Sequence, residues 1–292
     1  MSRLSGLVPS ALVAVLAGRG LPQESRPAAL AALETPGRVL HTDGFESDES
    51  LRAYFEIRGA DEGRVRRTTD PEQANSGSGA LRLTSPANEG NASGAGVSYW
   101  FGPEGEDRVH LRVYVRFAAD YDQGNLHHTG ASLAGVAGTN KWGGMGTAGL
   151  RPRGDDHFSS SLETWREWGR FPAPGFPVLY AYWMDMRRDR DGNFWGNLFE
   201  PPAGERVALE RNRWICLEHM IRVNDVGQAN GEHAAWIDGR LVLHATGIRW
   251  RSDAGVRLKR FGLDVYVHRA TKENAVWFDD VVLSTGYVGP LR

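Results

Sequence analysis

The chain has 292 residues, 41% hydrophobic and 24% charged, a composition that excludes global disorder. Its net charge of −2 at pH 7 excludes a global field drawing in nucleic acid or an anionic membrane, and neither is expected as a partner. The single cysteine, Cys216, excludes a disulfide framework and a Cys-based zinc site; within Trp214-Ile215-Cys216-Leu217 it reads as a core residue.

At the start of the chain, Arg3 precedes an apolar stretch from Leu4 to Ala17, closed by the small residues Ala17-Gly18. Residues 1–21 therefore read as a signal peptide, too short and interrupted to span a bilayer, and predict a secreted or periplasmic protein. Residues 22–38, rich in Pro, Ala and Glu, read as a linker with one helical turn. Length alone suggests two domains, but a sandwich of roughly 200–250 residues is one domain, and residues 39–292 fit that reading.

From Val39 onward, short alternating or apolar runs are separated by Gly, Asp, Asn and Pro clusters. Strands are predicted at residues 80–83, 109–117, 178–184, 216–223, 233–237, 261–267 and 275–283, with a helical turn near 48–54. Asp238-Gly239 signals a tight hairpin, and Asp191-Gly192 is read in the same way between two aromatic-rich strands. No fixed-period repeat points to a propeller or solenoid. The expected fold is all-β, an antiparallel β-sandwich or jelly roll, acting as a monomer.

Three segments resemble the concanavalin-like jelly roll of polysaccharide lyases, above all family 14, whose members cleave alginate or glucuronan. The first runs from Arg112-Val113-Tyr114-Val115-Arg116-Phe117 through Asp120-Tyr121-Asp122 to Gly124-Asn125-Leu126-His127-His128-Thr129-Gly130. The second joins Arg213-Trp214, Arg222-Val223-Asn224, Gly227-Gln228-Ala229-Asn230-Gly231 and Trp236-Ile237-Asp238-Gly239. The third is Trp277-Phe278-Asp279-Asp280-Val281-Val282. The resemblance spans roughly residues 100–290 and implies a lyase acting on an acidic, uronate-containing polysaccharide without a cofactor or metal. The chain departs from the family at two places. His127 stands where the family has its lysine, and the paired tyrosines after the Asp-Gly turn give way to Phe194-Trp195-Gly196-Asn197.

β-Elimination from a uronate needs a group that neutralises the carboxylate, a base for the adjacent C–H, and an acid for the leaving oxygen. The candidates for catalysis are His127, His128, Tyr180, Tyr182 and Arg187. Adjacent His127 and His128 point to opposite faces of a strand, so one of them reaches a groove. Period-two alternation likewise puts Asp264, Tyr266 and His268 on one face, opposite Leu263, Val265 and Val267. Candidates for substrate binding are Arg151, Arg153, Trp165, Trp195, Asn197, Asp264, Tyr266 and His268. Flat rings pack on pyranose faces, and local arginines dock a polyanion. His219 shares a face with Leu217 and Ile221 and reads as core. Asp155-Asp156-His157 reads as a surface loop, and Glu163 and Glu200 as loop residues. The near-absence of lysine, confined to Lys141, Lys259 and Lys272, leaves Arg, His or Asn as the expected carboxylate clamp. No G-x-S-x-G, H-E-x-x-H or P-loop motif is present. The competing reading is a non-catalytic, lectin-like carbohydrate-binding sandwich.

Overall fold

The computed structural model describes residues 30–88 and 94–292; the expected signal peptide and the first part of the expected linker lie outside them. Alternation of apolar and polar side chains drives the architecture. In β6 (Arg108–Phe117), Val109, Leu111, Val113, Val115 and Phe117 point inward, at most 1% exposed. In β14 (Arg257–Val267), Phe261, Leu263, Val265 and Val267 do the same. Such strands cannot leave one apolar face in water, so two sheets close on each other. Each large side chain fully buried in this way contributes roughly 1.5–3 kcal/mol.

The first sheet has eight strands, in the order β13 (Arg240–Ile248), β12 (Gly231–Ile237), β11 (Trp214–Arg222), β6, β15 (Asn274–Ser284), β4 (Ala80–Ser85), β3 (Val65–Thr68), with β1 (Val39–Asp43) also paired to β15. The second has seven, in the order β10 (Asn197–Phe199), β9 (Phe176–Tyr182), β8 (His157–Trp165), β7 (His127–Val136), β14, β5 (Gly94–Trp100), β2 (Glu56–Arg58). All these pairings are antiparallel, giving the jelly roll expected from the sequence. A short helix, α1 (Glu49–Arg52), falls where the helical turn near 48–54 was expected.

Asp238 and Gly239 both take positive φ, 50° and 79°, and make the tight turn between β12 and β13. Asp191-Gly192 does not make a tight hairpin. Strands β9 and β10 do pair, but the chain between them makes a long excursion, with this dipeptide at a turn pinned by the Asp189 carboxylate. In β15 a bulge after Asp279 shifts the inward set from Val276 and Phe278 to Val281 and Leu283.

Part of the expected linker packs instead of hanging free. Leu33 is buried with Met220, Ala234 and Trp236 on the outer face of the eight-stranded sheet. Glu34 accepts a 2.9 Å hydrogen bond from Trp236 Nε1, and the Leu33 carbonyl accepts one of the same length from Arg108. Cys216 and His219 are buried, as their apolar neighbours suggested. Among the described residues, no helix is long and apolar enough to cross a membrane.

Candidate active site

The outward face of the seven-stranded sheet forms an open groove of about 540 Å³. Register explains its lining. Tyr266 pairs with His128 and with Gly94, Asp264 pairs with Gly130 and Gly96, and Gly130 pairs in turn with Glu163. On the next strands Ser132 faces Ser161, Ser161 faces Tyr180, and Ser159 faces Tyr182. Small residues therefore alternate with functional ones across the floor. The glycines are needed there: a Cβ on Gly96 would run into the Asp264 carboxylate.

The centre of the groove is a histidine–carboxylate pair. His128 Nδ1–H donates to Glu163 Oε1 and Oε2, each at 3.2 Å. The His128 side chain is 45% exposed and that of Glu163 only 7%, so the carboxylate lies beneath the ring. A carboxylate accepting at Nδ1 fixes the tautomer and turns a free Nε2 toward the groove. Burial alone would lower the imidazole pKa, but the Glu163 and Asp264 charges outweigh it and raise His128 above the ordinary histidine range. The ring stacks against Tyr266, with centroids 5.9 Å apart at 14°, and lies 4.9 Å from the Tyr180 ring.

Beside it stand two phenols. The Tyr180 and Tyr182 hydroxyls are 3.2 Å apart, and Gly196 N–H donates to the Tyr180 oxygen at 2.9 Å. Burial, reinforced by Tyr182, pushes the Tyr180 phenol far above its usual range, so it keeps its proton. At the other end of the groove Arg58 donates to Asp264 Oδ1 at 2.7 Å, and Arg64 pairs with Glu62 at 3.0 Å. Burial lifts the Asp264 carboxyl above the ordinary aspartate range, with Arg58 opposing.

Of the residues singled out from the sequence, His128, Tyr180, Tyr182, Asp264 and Tyr266 come together in this groove. His268 adjoins it through a 2.9 Å contact between its Nδ1 and the Tyr266 hydroxyl. His127 faces the other side of β7. Its Nε2–H donates to the Thr164 carbonyl at 2.7 Å, and burial lowers its pKa to about 4. Arg187 is exposed outside the groove, its backbone N–H held by Asn197 Oδ1 at 2.6 Å, so Asn197, at the start of β10, ties down the preceding loop and does not line the groove. Arg151 stacks on Phe194, and Arg153 pairs with Asp155 and Asp156. Trp165 packs on Phe176, and Trp195 stands 49% exposed beyond the lining. Asp185, too, is committed elsewhere, held bidentately by Arg249 at 2.8 and 2.6 Å.

Three charged lining residues, Glu163, Arg58 and Arg64, were not recognised as site residues in the sequence. Glu163 belongs to β8 and not to a loop. Arg58 and Arg64 flank a turn whose Gly59 and Gly63 take φ of 87° and 68°. An arginine on each side of a short Gly-bounded turn was the available signal. Among the described residues, no group of three or more His, Cys, Asp or Glu is placed to hold a metal ion.

A scan of family models matches residues 73–268 to polysaccharide lyase 14. Among solved structures, the chain is similar to the marine PL-14 alginate lyase from Aplysia kurodai, with TM-score 0.64 and 16% identity over 86% of this chain and 99% of that one. It is similar to an alginate lyase from Chlorella virus, with TM-score 0.61 and 12% identity over 85% of this chain and 99% of that one. It also resembles the endo-β-1,4-glucuronan lyase of the fungus Trichoderma reesei, with TM-score 0.57 and 14% identity over 84% and 94% of the two chains. A search of curated proteins returned no match. At these identities the structural likenesses establish the fold.

Proposed function

The chain belongs to the polysaccharide lyase 14 family, and on that premise we propose that it cleaves a uronate-containing polysaccharide by β-elimination in the groove of the seven-stranded sheet. The observation that carries this reading is the convergence of His128, Glu163, Tyr180 and Tyr182 on one open face.

His128 serves as the base. Its Nδ1 is committed to Glu163, so Nε2 is the nitrogen that takes the proton from the carbon next to the uronate carboxylate. Glu163 orients the ring and stabilises the imidazolium formed when that proton arrives. Tyr182 serves as the acid that protonates the leaving glycosidic oxygen. Tyr180, whose oxygen already accepts from Gly196, keeps its proton and donates a hydrogen bond to the Tyr182 oxygen, stabilising the phenolate left by the transfer. Solvent then returns a proton to Tyr182 and takes the one on His128. Arg58 is the group at the groove suited to the substrate carboxylate, since its planar fork matches a carboxylate bidentately. The C–H bond breaks, the new double bond forms as the glycosidic C–O bond breaks, and the proton count closes through His128 and Tyr182. With a signal peptide at residues 1–21, the enzyme would act outside the cytoplasm on polymeric substrate.

The test is incubation with alginate, glucuronan and glycosaminoglycans while following the ultraviolet absorbance of the unsaturated product. Growth of that absorbance supports elimination. Retention on polysaccharide without product favours the lectin-like reading, in which Tyr182→Phe would leave binding intact.

A further inference from the structure

Within the lining, Arg58 and Arg64 stand against Asp264 and Glu163, so the charges cancel while His128 is neutral. Arg58 is bound to Asp264 at 2.7 Å, Arg64 to Glu62 at 3.0 Å, and His128 to Glu163 at 3.2 Å. The rest of the lining is glycine, alanine, serine, threonine and tyrosine, which offer hydroxyl and backbone groups but no charge. Among the described residues, no lining cation lacks a carboxylate partner. Both arginines lie toward the β2 end, whereas the floor on the β8 and β9 side is neutral hydroxyl and phenol. Arg151 and Arg188 stack on Phe194 outside the lining.

A polymer made only of uronates presents a carboxylate on every ring. One of them can compete with Asp264 for Arg58. A second can compete with Glu62 for Arg64 at the same β2 end, but those toward β8 and β9 would meet Glu163 or a neutral floor. An unpaired or like-charged contact in a partly desolvated groove is strongly unfavourable. A neutral ring next to the uronate instead meets serine, threonine and tyrosine hydroxyls that match its own. Resting on the lyase reading above, we infer that the groove selects a polysaccharide in which each reacting uronate is flanked by uncharged sugars, over a homopolymer of uronates. Specificity of this kind comes from the acids that repel the wrong substrate as much as from the arginine that attracts the right one.

The test compares polymers of the same uronate. At equal glucuronate concentration, kcat/KM is measured on glucuronan, in which every ring is charged, and on hyaluronan and unsulfated chondroitin, in which glucuronate alternates with an uncharged N-acetylhexosamine. At least one alternating polymer is expected to be cleaved about tenfold or more faster than glucuronan. Asp264→Asn, which leaves Arg58 without its partner, is expected to move the ratio toward glucuronan by about fivefold. Equal or faster cleavage of glucuronan, or activity confined to other polyuronates such as alginate, overturns the inference while leaving the lyase reading standing. No unsaturated product from any of these polymers overturns both.

Discussion

Two histidine–carboxylate pairs occupy opposite outer faces of the sandwich, and their fates differ. His128 and Glu163 face the groove, with the ring half exposed. His110 Nδ1 meets Glu218 Oε1 at 2.9 Å on the outer face of the eight-stranded sheet, with side chains 0% and 1% exposed. There the C-terminal segment closes over the pair, as Val288 N–H and Gly289 N–H donate to the Glu218 oxygens at 3.0 and 2.8 Å. The same chemistry gives opposite titration. Burial lowers His110 despite Glu218, while His128 is raised because Glu163 and Asp264 outweigh its burial. A carboxylate beside an imidazole thus makes either a structural clasp or a reactive base, and access to solvent decides which.

Substitutions on the two faces should therefore separate activity from stability. The largest effect is expected from His128→Ala, which removes the base and lowers kcat by about 10²–10⁴ while the protein stays folded at the assay temperature. The matching His110→Ala should keep kcat and lose about 1–3 kcal/mol of stability in urea, because Glu218 is left buried with one partner fewer. Equal loss of activity in both variants would break the distinction between the faces.

Tyr182→Phe removes the proposed acid and should cost about 10²-fold or more in kcat, with little change in KM. Glu163→Gln is expected to cost roughly 10–100-fold and to show a signature in the pH profile. The base works when neutral, so activity rises with pH through the His128 pKa. Removing the Glu163 charge lowers that pKa, and the acidic limb of kcat/KM should move to lower pH. A limb that stays in place would show that Glu163 does not act through His128.

A third imidazole environment gives the smallest effect at neutral pH. His219 lies in the core, 0% exposed, with neither ring nitrogen hydrogen-bonded and His233 5.9 Å away. Burial lowers its pKa to about 3. The folded form holds it neutral, so stability is full above about pH 6.5 and falls as pH drops from there toward 3, by about 1.4 kcal/mol per pH unit for this group. His219→Met should flatten that decline in denaturation midpoints measured between pH 7 and 4, while leaving activity at neutral pH unchanged.

These contrasts also show how far the sequence could be read. Strand β6 and the 261–267 part of β14 alternate cleanly, β15 does so on either side of its bulge, and that period gave both the sandwich and the outward pair Asp264 and Tyr266. Strand β8 was hidden because its inward row mixes Phe158 and Leu162 with Ser160 and Thr164, and Ser160 is satisfied by the Tyr180 carbonyl. Without apolar alternation, Glu163 looked like a loop residue. Strand β2 is three residues long, too short for any period, so Arg58 could not be placed. The sequence said that His127 and His128 diverge, but which of them faces the groove depends on pairing with Tyr266, far away in the chain. Trp195 and Arg187 drew notice by residue type, and only the long excursion between β9 and β10 shows that they stand outside the lining.

The most direct test is a mass spectrum of the digest made by the wild-type protein and by His128→Ala on whichever uronate polymer the wild type cleaves. The expected result is wild-type fragments carrying an unsaturated uronate end, lighter by one water than hydrolysis products, and almost none from a folded His128→Ala. Saturated ends, or undiminished cleavage by His128→Ala, would contradict elimination at this groove.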